Sequence, residues 1–70
     1  MYFNDVVKYA LDFRSKAPYF ERRSLDADVS RGEVTVTIYP YNGSYIEKSI
    51  GAYKFYLEND QIKTFWMGYL

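Results

Sequence analysis

Pro18 divides the chain into two regimes of apolar spacing, and this division limits the fold more than any other feature. Before it, Phe3, Val6, Val7, Ala10, Leu11 and Phe13 recur at three- and four-residue intervals. That is the stripe of an amphipathic helix, and it predicts one over residues 4–16. Asn4 is placed to cap its start, and Asp5 sits in the first turn, where the helix dipole favours an acid. Arg14 and Lys16 suit the opposite end. Proline cannot continue the helix, and it pushes Ala17 out of the helical region.

Beyond Pro18 the dominant period is two. Residues 19–23 read as a connector. Leu25, Ala27 and Val29 then alternate with Ser24, Asp26 and Asp28, the pattern of a half-buried strand. A turn at Ser30-Arg31-Gly32 leads to the clearest strand, in which Val34, Val36 and Ile38 alternate with Glu33, Thr35, Thr37 and Tyr39. Pro40 ends it, and Asn42-Gly43 is the dipeptide of a tight hairpin turn. Residues 45–57 admit two readings. Ile46, Ile50, Tyr53 and Leu57 have helical spacing, and Ser44 with Glu47 resembles a capping box. Against a helix stand Gly51 and the aromatic run Tyr53-Lys54-Phe55-Tyr56-Leu57. The apolar parity also changes at the glycine, as a β-bulge at Gly51-Ala52 would produce. The strand reading is preferred. Glu58-Asn59-Asp60 is a short turn, and residues 62–69 close the chain as a last strand.

The expected architecture is α+β: one domain over residues 1–70, with an N-terminal helix packed on a curled four-stranded antiparallel sheet in α-β-β-β-β order. This order resembles that of cystatin-like folds. The resemblance is one of element order alone and implies no activity.

Composition narrows the chemistry. The 70 residues contain no Cys and no His. A Ser-His-Asp triad, a Cys nucleophile and a zinc site of Cys or His ligands are therefore excluded. No Gly-rich phosphate loop occurs, since Gly32, Gly43, Gly51 and Gly68 are scattered. The reading is a non-enzymatic protein without cofactor or metal. Nine basic residues balance nine acidic ones, which weighs against a dedicated nucleic-acid binder. The start, Met1-Tyr2-Phe3-Asn4-Asp5, has no basic region leading into an apolar run, and no stretch of about 18 apolar residues occurs. With the absence of Cys, this sets the expectation of a cytoplasmic protein with no membrane span. Asn42-Gly43-Ser44 matches a glycosylation sequon but is read as a turn.

Several charged groups are candidate sites. Asp26 and Asp28 share one strand face, about 7 Å apart. They could hold a cation or act as an acid–base pair, but the solvated side of a strand explains them more simply. The acids of Glu58-Asn59-Asp60 are read as hairpin polarity. Arg22 and Arg23, with Arg31 nearby, form a possible anion contact.

Aromatic residues make up 21% of the chain, with nine Tyr, five Phe and one Trp. The last strand carries them on both sides: Ile62, Thr64 and Trp66 on one, Phe65, Met67 and Tyr69 on the other. A single helix covers only one face of a sheet. The other is expected to expose Phe65, Met67 and Tyr69 together with Tyr39 and Tyr56, a candidate interface of the residue types enriched in interface cores. The expected function is therefore protein–protein interaction, as an adaptor, inhibitor or immunity-type accessory protein, with a homodimer or another protein as partner. The alternative is base stacking of a nucleotide or single-stranded nucleic acid, with Lys54 and Lys63 supplying charge. Gly51-Ala52-Tyr53-Lys54-Phe55-Tyr56 is similar to the glycine–aromatic strand of RNA-recognition modules, although the leading basic residue and the second helix of those modules are missing.

Overall fold

The computed structural model describes residues 1–19, 21–40 and 50–69. One helix, α1 (Phe3–Ser15), is followed by β1 (Glu21–Asp28), β2 (Glu33–Pro40), β3 (Gly51–Glu58) and β4 (Gln61–Tyr69). The strands form one antiparallel sheet in the order β1-β2-β3-β4. It is an open sheet with β1 and β4 at its edges, and α1 packs across β1, β2 and β3. The expected α+β layout is thus present. The Asn42-Gly43 turn, the sequon and the capping box at Ser44 lie outside the described residues. For residues 51–57, the strand reading holds.

α1 begins one residue earlier than its spacing predicts, with Tyr2 rather than Asn4 in the N-cap position. Asp5 decides this. Its carboxylate accepts a hydrogen bond from the Tyr2 N–H at 2.6 Å, while the Asp5 N–H donates to the Tyr2 carbonyl at 2.9 Å. A carboxylate three residues past the cap satisfies an otherwise orphaned donor. The face presented to the sheet is Phe3, Val6, Ala10 and Phe13, of which Val6 and Ala10 are fully buried. Leu11, counted in the stripe, is 39% exposed at its edge.

β1 starts at Glu21, so residues 21–23 belong to the strand and not to a connector. Val29, assigned to the strand face by its alternation, lies in the following turn and is 76% exposed. That turn is organised by Asp28. Its Oδ1 accepts from the Ser30 hydroxyl at 2.6 Å and from the Arg31 N–H at 3.2 Å, and Gly32 follows with φ +66°. The β3–β4 turn uses Asn59 and Asp60 at φ 53° and 60°. Two left-handed residues in a two-residue loop match the twist of a hairpin.

The register sorts residues into two faces. Toward the helix, Ala27, Val34, Phe55 and Thr64 form one row, and Leu25, Val36, Tyr53 and Trp66 another. Val34, Val36 and Phe55 are buried and close the core against Val6 and Ala10. Phe13 stands edge-on to Tyr53 with ring centroids 5.2 Å apart, and Tyr9 reaches Phe55 at 5.7 Å. Aromatic rings therefore fill much of a core that aliphatic residues alone would leave thin.

The bulge expected at Gly51-Ala52 is absent from β3, which pairs with β2 in unbroken register through Gly51, Ala52 and Tyr53; a bulge falls instead in β4. Ala52 pairs with Gly68 and Tyr53 with Trp66, which leaves Met67 without an opposite residue. Gly68 takes φ +92° there, a conformation open to glycine.

Candidate functional site

The face turned away from α1 runs from polar to aromatic. Across the strands one row reads Asp26, Thr35, Lys54, Phe65, and the next Asp28, Glu33, Tyr56, Lys63. Helix burial does not reach this side, yet Ala52, in its row with Ser24, Thr37 and Gly68, is only 1% exposed. Phe65 is 56% exposed and Tyr39 36%, whereas Tyr56 is half-buried among its neighbours. Glu33, Lys54, Tyr56 and Phe65 line a shallow concavity. At its floor the Lys54 ammonium lies 3.4 Å from the Glu33 carboxylate, so that cation already has a counter-charge.

The five residues proposed from sequence are only partly brought together. Tyr56 and Phe65 are diagonal neighbours around the concavity. Tyr39 lies on the same face but beside Arg22. By strand spacing and rise it is roughly 16 Å from Phe65. Met67 is the bulged residue, 43% exposed. Tyr69 is on the opposite face. The bulge shifts its parity, it pairs with Gly51, and its ring meets Trp66 edge-on at 5.3 Å. Simple alternation along β4 could not anticipate this, because one extra residue reverses the facing of everything after it. The sequence signal was Gly68, a glycine inside an otherwise regular strand.

Trp66 is the residue that alternation undervalued. It packs at a tilt against Tyr53 with centroids 4.7 Å apart and covers Gly51. A Cβ at Gly51 would lie 2.1 Å from the indole Cη2 atom. Yet the ring stays 39% exposed at the open side of β4. Both faces of β4 therefore present aromatic surface: Phe65 on one, Trp66 and Tyr69 on the other.

The paired arginines do not form a joint anion site. Neighbouring residues of a strand point to opposite faces. Arg22 is on the open face. Arg23 is on the helix side, where its Nε–H donates to Glu21 Oε2 at 2.7 Å, its NH1 donates to the Phe13 carbonyl at 2.5 Å and its guanidinium lies 4.3 Å from the centre of the Phe13 ring. Arg23 thereby fastens the last turn of α1 to β1. Arg31 is held by Asp28 at 3.7 Å. Asp28 itself is a turn residue, and the hydrogen bond from Ser30 holds its carboxyl below the ordinary carboxylate value. The exposed Asp26 stands on the open face beside Thr35. Among the described residues no group of three potential ligands could hold a metal ion. No helix among them is long and apolar enough to cross a membrane.

Comparison of the chain with protein-family models, curated proteins and solved structures gives no match.

Proposed function

We propose that this protein is a small interaction module that works by docking the aromatic side of its sheet against a second protein surface, with self-association as the first instance. The observation that carries this is the exposure of Phe65, Trp66, Met67 and Tyr69, at 56%, 39%, 43% and 70%, on one strand. Isolated exposed apolar residues are ordinary on monomers, but a group strung along one edge strand, with Phe65 on one face and Trp66 and Tyr69 on the other, is more than isolated exposure and suits an interaction site. Aromatic side chains and Met bring large contact areas, and aromatics are prominent among the residues that dominate binding energy. Such a surface would suit an adaptor, inhibitor or immunity-type role.

The test is the mass in solution across a concentration series. A species of twice 8.3 kDa should accumulate as concentration rises. Phe65→Ala should weaken it by more than about 1 kcal/mol, as expected of a hot-spot ring. Monomeric wild type with no detectable change in the variant would remove the support for this reading.

One arrangement favours a second reading. Lys54 opposes Phe65 and Lys63 opposes Tyr56 on the open face, which interleaves cations with rings as in surfaces that stack single strands. The Glu33–Lys54 pair at 3.4 Å and the balanced net charge act against it, because phosphate neutralisation drives such affinity. Anisotropy of labelled oligonucleotides and nucleotides at low and moderate salt separates the two. Salt-sensitive binding lost in Lys63→Ala favours stacking, and a flat titration eliminates it.

A further inference from the structure

The two edges of the sheet differ in how they are protected. β1 carries five charged residues in eight, Glu21, Arg22, Arg23, Asp26 and Asp28. Such charge blunts an edge against pairing. β4 carries one charged residue in nine, Lys63, and no proline. Among the described residues it is the longest strand, and in their sheet order it has a neighbour on one side alone. Its exposed aromatics lie on both faces, Phe65 on the open side and Trp66 and Tyr69 on the helix side. A partner laid on one face would leave the other wet. A strand added alongside β4 shields both.

The hairpin geometry fixes which backbone groups point outward. Residues 58 and 61 close a two-residue loop and so form a hydrogen-bonded pair. Antiparallel ladders alternate bonded and non-bonded pairs. Lys63 and Phe65 therefore turn their backbone groups toward β3, and Ile62, Thr64 and Trp66 turn theirs to the open edge.

We infer that β4 pairs antiparallel with β4 of a second copy of this chain about a two-fold axis at Thr64, joining the two sheets into one. This rests on the self-association reading above and specifies its geometry as edge to edge. The occupant is a second copy because the strand is self-complementary in this register. Thr64 faces Thr64 of the second copy, a pairing that suits sheets. Ile62 faces Trp66 of the second copy, apolar against apolar. Lys63 faces Phe65 of the second copy, ammonium against ring. A register one step away, centred on Lys63, sets two ammonium groups opposite each other. One centred on Phe65 runs the ladder into the Met67 bulge. Head-to-tail addition of β4 to β1 meets the charged edge and would not close, whereas the two-fold contact does.

The experiment uses the full chain and sedimentation over a concentration series, with circular dichroism to confirm folding. Thr64 is exposed, so its replacement leaves the core intact. Thr64→Lys should raise the dimer dissociation constant about tenfold or more through like-charge opposition. Thr64→Pro, which removes an outward N–H, should do the same. Tyr39→Ala and Tyr56→Ala, on strands away from this edge, should leave the constant within about twofold. Thr64→Cys, in a chain without native cysteine, should form a disulfide-linked dimer on mild oxidation, because opposed residues meet the Cα spacing of about 5.5 Å. Ser24→Cys on β1 should not. Wild-type association retained in both Thr64→Lys and Thr64→Pro overturns the edge pairing. If Tyr56→Ala weakens that association, docking through the open face survives without it. A wild type that stays monomeric at the highest soluble concentration overturns both.

Discussion

Gly51 and Trp66 show how one missing side chain organises a site. The indole rests where a Cβ would stand, 2.1 Å from the ideal position, and this places it against Tyr53 at 4.7 Å. Gly51→Ala should cost about 1–3 kcal/mol, the range for adding a methyl group to a filled space. The indole must swing off Tyr53, so urea unfolding should record the loss and Trp66 emission should shift to the red. Asp28 acts on a different quantity. Its carboxyl is held below its ordinary value chiefly by the Ser30 hydroxyl, so the folded state binds fewer protons than the unfolded chain. The stabilisation is present above the unfolded carboxylate value and is lost as pH falls through the folded one. Thermal melts of Asp28→Asn should accordingly show a shallower loss of stability on acidification below about pH 4 than wild type.

At the level of elements, α1 depends on a cap that its own spacing did not reveal. The apolar stripe places the helix correctly, and Pro18 accounts for its end. The start is decided by the Asp5 carboxylate reaching back to the Tyr2 N–H at 2.6 Å. Asp5→Ala should destabilise the protein by about 1 kcal/mol in chemical denaturation, with no change in strand signals, because a lost cap costs that order. Arg23 illustrates the opposite case. Read beside Arg22 it suggests an anion site, but strand alternation sends the two side chains to opposite faces. The helix then gives Arg23 the Phe13 carbonyl and ring as partners, and Glu21 of its own strand supplies the carboxylate.

The described residues form a two-layer structure in which the helical layer covers only part of the sheet. A single helix spans β1 to β3, and the fully buried large side chains are Phe55, Val6, Val34 and Val36. The accessible surface is 5137 Å², above the roughly 4,600 Å² typical of a monomer of this mass. So small a core leaves little reserve. Phe55→Ala removes the ring that meets Tyr9 and Phe13. A loss of about 3–5 kcal/mol is expected, comparable to the entire stability of a small domain. Far-UV circular dichroism at ambient temperature should then report a largely unfolded chain. The same thin layer explains why β4 keeps Trp66 and Tyr69 in solvent on the helix side: α1 packs mainly on β1, β2 and β3.

The amino-acid sequence determined the elements themselves, because apolar period, a proline and turn residues act over a few neighbours. The helix before Pro18, the alternation from Val34 to Ile38 and the Asn59-Asp60 reversal each follow from such short-range rules. What the sequence could not determine is which side of β4 each aromatic occupies beyond Trp66. That depended on whether the extra residue of the bulge fell in β3 or in β4, and pairing across strands, with Gly68 in a left-handed conformation and Trp66 seated on Gly51, decided it. Tyr69 changed faces as a result. Alternation is a local signal, whereas facing after a bulge is a property of two strands held in register.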